Sequence, residues 1–275
     1  MVGIIAGGGS LPVALRRHLE GSGTAVRGIA LNGEARPDGW ETVRSIGDIE
    51  GILADLQRLT VSHVVLAGWV RRRPRLSGVR LGRRSLPLLP TLLRALGSGD
   101  DGALRRVAAV LERRGHAVVG VHDVWPEIVA GQGALGRERP DASHRASIAL
   151  GVAAARRLGD VDAGQGVVVV GRRVVALEGL EGTDGMLERV AQLRAEGRLP
   201  YAPPAGVLVK AVKPGQELRA DLPSIGTDTV RNASRAGLRG IAVEAGASLV
   251  LEREAVVAAA DEKGLFVHGF RDPAP

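Results

Sequence analysis

The stretch "ADLPSIGTDTV", Ala220 to Val230, carries carboxylates at Asp221 and Asp228, turn formers at Pro223 and Gly226, and hydroxyls at Thr227 and Thr229. Two chemistries fit that spacing. An aspartate or threonine before a helix accepts hydrogen bonds from the first free backbone N–H groups. Alternatively, acids in a turn ligate a hard cation such as Mg²⁺, which takes oxygen ligands and keeps several waters. More acids lie in "ALEGLEGTDGML", with Glu178, Glu181 and Asp184 close together, and "VLVKAVKPGQELRAD" adds Lys210, Lys213, Gln216 and Arg219. Lysines and arginines suit phosphate charge. Acids and bases in loops that could converge point to phosphoryl chemistry on a phosphate-bearing substrate. A third candidate is "AGGGSLP", where Gly7, Gly8, Gly9 and Ser10 follow an apolar run and precede a helical pattern. Such a loop either cradles an anion on backbone N–H groups or makes a tight turn. It is neither G-x-G-x-x-G, since Pro12 occupies the third glycine's place, nor a P-loop.

These residues need elements to position them. "VGIIA", "TAVRGIALN", "HVVLAG" and "HAVVGVHDV" read as strands, alternating with helices at "VALRRHL", "IEGILADLQRL" and "DDGALRRVAAVLERRG". That alternation predicts a Rossmann-like, mostly parallel α/β domain. Trp125 to Ser143 is rich in Gly, Pro and charge and reads as a linker. Beyond it, "HRASIALGVAAARRLG" reads as a helix and "GVVVVGRRVVALEG" as a hairpin turning at Gly171. "TDGMLERVAQLRAEG" is a helix with Thr183 at its cap, and "GVLVKAVKP", "TVRNASRAGLRG", "IAVEAG", "REAVVAAADEKG" and "LFVHGF" continue the alternation. The reading is two α/β domains, 1–133 and 134–275, the second a mixed sheet with helices. Lys210 ends an apolar run, so its stem is expected to be partly buried, and strand ends of α/β folds present ligand groups.

Composition narrows the partners. At 45% hydrophobic and 24% charged, the 275-residue chain can build real cores. Lys and Arg number 37 against 30 Asp and Glu, a net +7 that fits a polyanionic small molecule or an anionic surface. Aromatics are only 2%, too few for stacking on single strands, so nucleic acid is not expected. Cysteine is absent, which excludes thiolate and disulfide chemistry and suits a reducing cytoplasm. No basic n-region precedes the first apolar run, and no stretch reaches the ~20 apolar residues of a bilayer span. His116, His122, His144 and His268 lack metal-like spacing and are expected to be structural.

"GIIAGGGSLP", "AGWV" followed by "RP", "GDDGALRRV", "GQGVVV", "EGLEGTDGML", "KAVKPGQELRADLPSIGTDTV", "RAGLRGIAVEAG" and "GLFVHG" together resemble the LpxI family, in order through nearly the whole chain. The resemblance implies Mg²⁺- or Mn²⁺-dependent hydrolysis of UDP-2,3-diacylglucosamine to UMP and lipid X in lipid A biosynthesis, at the inner-membrane surface. It implies two domains with the lipid-linked UDP-sugar held between them, and leaves a homodimer open. The family's essential aspartate falls at Asp228. With it go Asp221, Glu181 and Asp184 as candidate metal ligands and Lys210 and Lys213 as neutralisers of the diphosphate. Gly7, Gly8, Gly9, Ser10, Gln165, Thr183 and Arg219 are the candidate substrate contacts. The AG-x-V-x-RP element carries an extra residue at Arg71 to Arg73, so no arginine there is given a role. Leu88, Leu89, Leu92, Leu93 and Leu96 could form a face for acyl chains or for the core. Two other readings stay open: a non-catalytic sugar-nucleotide sensor, and a nucleotide-cofactor oxidoreductase, against which the missing glycine and the "LN" ending the second strand both speak.

Overall fold

The computed structural model describes residues 1–70, 100–199 and 201–271. The arginines 71–73 and the leucine-rich stretch from Ser85 to Gly97 lie outside them. The chain divides into two compact units, Met1–Pro126 with Glu217–Asp221, and Glu127–Gln216 with Leu222–Pro275.

In the first unit, strands β1 (Val2–Ala6), β2 (Val26–Leu31), β3 (Thr42–Arg44), β4 (His63–Ala67) and β5 (Ala117–Val118) form one sheet in the order β3-β2-β1-β4-β5. Every pairing in it is parallel. Helices α1 (Leu11–Gly21), α2 (Ile49–Arg58), α3 (Asp100–Arg113) and α4 (Val121–Val124) connect or flank the strands. The apolar runs of β1, β2 and β4 place Ile4, Ile29 and Val64 beyond solvent, as parallel strands covered on both faces require. The sequence pattern of "HAVVGVHDV" predicts one strand. Instead the strand stops after two residues, because the Asp123 carboxylate accepts the Gly120 N–H at 2.7 Å and starts a short helix. Strand β3 carries no such pattern in sequence: it is a three-residue edge with half-exposed side chains, and only its ladder to β2 defines it.

A buried carboxylate ties this unit together. Asp55 on α2 is 4% exposed and accepts from Arg44 at 2.7 Å and Arg58 at 3.2 Å. Burial pushes its pKa up, but the Arg44 and Arg58 bonds outweigh burial and hold it below the usual aspartate range.

The second unit is built on a six-stranded mixed sheet, ordered β6 (Gly133–Ala134), β13 (Phe266–Phe270), β11 (Gly240–Glu244), β9 (Val207–Lys210), β7 (Gly166–Val170) and β8 (Arg173–Leu177). β9, β11 and β13 are parallel, while β7, β8 and β6 run antiparallel to their neighbours. β10 (Ser224–Ile225) and β12 (Leu249–Val250) pair separately. One face carries α6 (Gly182–Ala195), α7 (Thr227–Arg235) and α8 (Arg253–Glu262), whose Met186, Leu187, Val230 and Val256 bury against Leu208, Ile241 and Val243. The other face carries α5 (Ala142–Asp160), which packs Ile148, Val152 and Ala155 on β7 and β9. Gly151 lets α5 sit this close, since a Cβ there would stand 2.5 Å from the Val209 side chain. The hairpin expected around Gly171 is present as β7 and β8. The expected linker is partly regular: it holds a 3₁₀ turn at Pro126–Ile128 and strand β6, which pairs with β13.

Candidate functional site

The parallel strands of the second unit end together, and such carboxyl edges are where α/β sheets place ligands. Lys210, the last residue of β9, is 4% exposed. Its ammonium donates to the Thr183 hydroxyl at 2.8 Å and to the Ser224 carbonyl at 3.2 Å. The Thr183 hydroxyl in turn donates to Glu178 Oε1 at 2.6 Å, and Glu178 Oε2 accepts the Gln165 N–H at 3.1 Å. A carboxylate only accepts, so the direction of the chain is set: ammonium to hydroxyl to carboxylate. Glu178 is itself buried. A buried cation and a buried anion thus compensate each other through one threonine. Thr183 is therefore not the cap that its position suggests. Glu181 occupies the N-cap position of α6, without a side-chain capping bond.

The loop after β9 is held the same way. Lys213 donates to Asp162 at 2.7 Å, and its N–H goes to Gln216 Oε1 at 2.7 Å. Glu244, ending β11, accepts the Val212 N–H at 2.9 Å and Arg156 at 2.7 Å. Both expected lysines therefore sit at the strand edge, each engaged by protein partners. The Gln165 side chain faces Gln216 at 3.4 Å.

The acids are placed apart in their bonding. Asp228 lies in the first turn of α7, with its side chain 70% exposed and paired with Arg231 on the same helix. The bond at the helix start belongs to others: the Gly226 N–H donates to the Thr229 hydroxyl at 3.3 Å. Asp184 accepts from Asn232 at 2.8 Å, joining α6 to α7, and Glu181 pairs with Arg189 at 2.9 Å. Asp221 belongs to the first unit, within Glu217–Asp221. Among the described residues no three or more His, Cys, Asp or Glu side chains gather closely enough to hold a metal ion. The described acids thus do not form a fitting ligand set, and no coordination is derived from them.

Arg219 also belongs to the first unit. It is gripped by Glu217 at 2.8 Å and by Glu112, and these carboxylates raise its pKa, while Arg219 lowers that of Glu217. The glycine loop of that unit is partly spent on its own fold. The Gly7 N–H donates to Ala67 O and the Gly8 N–H to Trp69 O, both at 2.8 Å. The Trp69 indole lies over Gly8, where a Cβ would meet the ring at 2.5 Å. Ser10 stands exposed at the α1 N-cap and makes no capping bond. Gly8→Ala should consequently displace the indole. A shifted Trp emission with fold retained is the expected readout, and an unchanged spectrum would contradict this packing.

Sequence reasoning placed Glu178 and Gln216 in the cluster without a role, and passed over Asp162. Glu178 had a legible signal, a carboxylate placed directly after the apolar strand "RVVAL". Asp162 had none, because its partner Lys213 lies 51 residues away.

The sequence matches the LpxI N-terminal domain over residues 1–128 and the LpxI C-terminal domain over residues 131–268. It is 44% identical over 279 aligned residues to the UDP-2,3-diacylglucosamine pyrophosphatase LpxI of Caulobacter vibrioides, covering 98% of this chain and 96% of the relative. No described helix is long and apolar enough to cross a membrane.

Proposed function

The chain belongs to the LpxI family, and from that premise we propose that it hydrolyses the pyrophosphate of UDP-2,3-diacylglucosamine as a step of lipid A biosynthesis. The observation that carries this reading is the 44% identity to the Caulobacter enzyme over nearly the full length of both chains. Water attacks one phosphorus of the diphosphate, the bridging P–O bond breaks, and UMP and the diacyl sugar 1-phosphate leave. Asp228, exposed on the first turn of α7, is the group that orients the attacking water. The negative charge that develops needs positive partners. Lys210 and Lys213 supply them at the edge of β9, held in place by Thr183 and Asp162. The Thr183 hydroxyl and the Gln165 N–H hold Glu178, and the same hydroxyl holds the Lys210 ammonium in place. A preorganised arrangement of this kind needs little rearrangement as charge builds up. The substrate carries acyl chains, so the protein would meet it at the inner-membrane surface as a peripheral protein.

Incubation with UDP-2,3-diacylglucosamine tests the reading directly. UMP release is expected, and binding without UMP would leave a sensor instead. Metal dependence has a separate test. The family resemblance, not the described acids, implies that activity vanishes in EDTA and returns with Mg²⁺ or Mn²⁺; full turnover in chelator would rule a metal out. A homodimer would appear as twice the chain mass by light scattering.

A further inference from the structure

Helix α5 covers one face of the second sheet over β7 and β9, and beside it runs a cavity of about 540 Å³. That volume lies in the range of small-molecule sites, roughly 300–1,000 Å³. One stripe of α5 forms a wall: Arg145, Ile148, Ala149, Val152, Ala153 and Arg156 recur at helical spacing. The two alanines keep the stripe shallow, and a larger side chain at either would fill the space. Phe270 and His268 of β13 form the opposite side. Burial first, and then the Arg145 charge, hold the His268 pKa below its ordinary value, so the imidazole is neutral at neutral pH. The floor is therefore uncharged.

The rim is not. Three of the lining residues are arginines, and none is acidic. Arg156 is bound by Glu244. Arg145 donates to the Pro140 carbonyl, and among the described residues no carboxylate pairs with Arg145 or Arg271. Guanidinium groups without a carboxylate, above an apolar floor, are complementary to a molecule with an acidic head and an apolar body.

We propose that this cavity binds an anionic amphiphile, its acyl chain along Ile148, Val152 and Phe270 and its phosphate or carboxylate head at the rim arginines Arg145 and Arg271. The lipid could be the acyl portion of the substrate or product of the reaction proposed above, or a separate membrane-derived lipid. The chemistry is common to both sources. The site does not depend on that reaction, because it is read by binding alone.

The probe is decyl phosphate, titrated calorimetrically below its micelle concentration into the full chain, with inorganic phosphate and decanol as controls. Decyl phosphate should bind at least tenfold more tightly than either control. Ala153→Trp fills the cavity from an exposed helix position, where folding is not at stake, and should weaken binding at least tenfold. The double variant Arg145→Glu/Arg271→Glu should do the same while leaving decanol unaffected. Decyl phosphate that binds no better than phosphate, or as tightly to Ala153→Trp as to the parent, would overturn the proposal. The source is then separated by kinetics. A raised KM for UDP-2,3-diacylglucosamine in Ala153→Trp with kcat retained assigns the cavity to the substrate's own chain. An unchanged KM, with decyl phosphate binding lost, assigns it to a separate lipid.

Discussion

Asp228→Ala is expected to lower kcat by about 10²-fold or more, as loss of a group acting on the transition state does. The same change should lower the melting temperature by no more than about 3 °C, since only about 1 kcal/mol of local stability is at risk. The local geometry accounts for this separation. Asp228 is 70% exposed and, among the described residues, pairs with Arg231, three residues on. Exposed pairs of this kind contribute roughly 0.2–1 kcal/mol. Its favourable position near the positive end of α7 adds a similar amount. The capping bond of this turn is made by others, the Gly226 N–H donating to the Thr229 hydroxyl. Thr229→Val should accordingly lose a similar amount, about 1 kcal/mol of stability, but leave kcat nearly intact. Measuring kcat and melting temperature on both variants decides the matter. An Asp228→Ala protein with near-normal kcat would remove the central group of the mechanism proposed here.

Lys210→Met should be the most destabilising single change at the site. Removing one member of a buried, compensated set leaves the other charge stranded, which costs about 3–5 kcal/mol. Here the stranded group is Glu178, 7% exposed, whose other partners are neutral: the Thr183 hydroxyl and the Gln165 N–H. Adding Glu178→Gln to Lys210→Met removes the orphan charge and should recover a large part of the loss. That rescue is the diagnostic result, because loss of packing alone would not be repaired by a second substitution at a neighbouring acid. Denaturant midpoints for the single and double variants provide the measurement. A single variant within about 0.5 kcal/mol of the parent would show that the ammonium is not the counter-charge of Glu178.

Much of the architecture was legible from local patterns. Alternating apolar runs and amphipathic helices are short-range properties, and they placed β1, β2, β4, the hairpin at Gly171 and α5 to α8 close to where they occur. The misses share a cause. β3 is too short to carry a period and owes its existence to the neighbouring β2 ladder. β6 takes two residues from a stretch of loop composition, and its pairing partner β13 lies more than 130 residues later. Neither is visible to a reading that sees only neighbours in sequence.

The same distinction holds at the site. Residue types and their order sufficed to carry the family resemblance, which the two family models bear out, and to raise Asp228, Lys210 and Lys213 as candidates. Tertiary structure alone decided how those groups are used. It turned the Thr183 hydroxyl from a helix cap into the bridge between Lys210 and Glu178. It consumed the Gly7 and Gly8 N–H groups on carbonyls some 60 residues away. It also assigned Glu217–Asp221 to the first unit, through the Glu217 N–H bonded to Asp101 and Arg219 paired with Glu112. Asp221 thereby belongs to the first unit, whereas Asp228, seven residues later, belongs to the second. The physical reason is one and the same: a polar group takes whichever partner the folded chain brings within about 3 Å, and that partner is seldom near it in sequence.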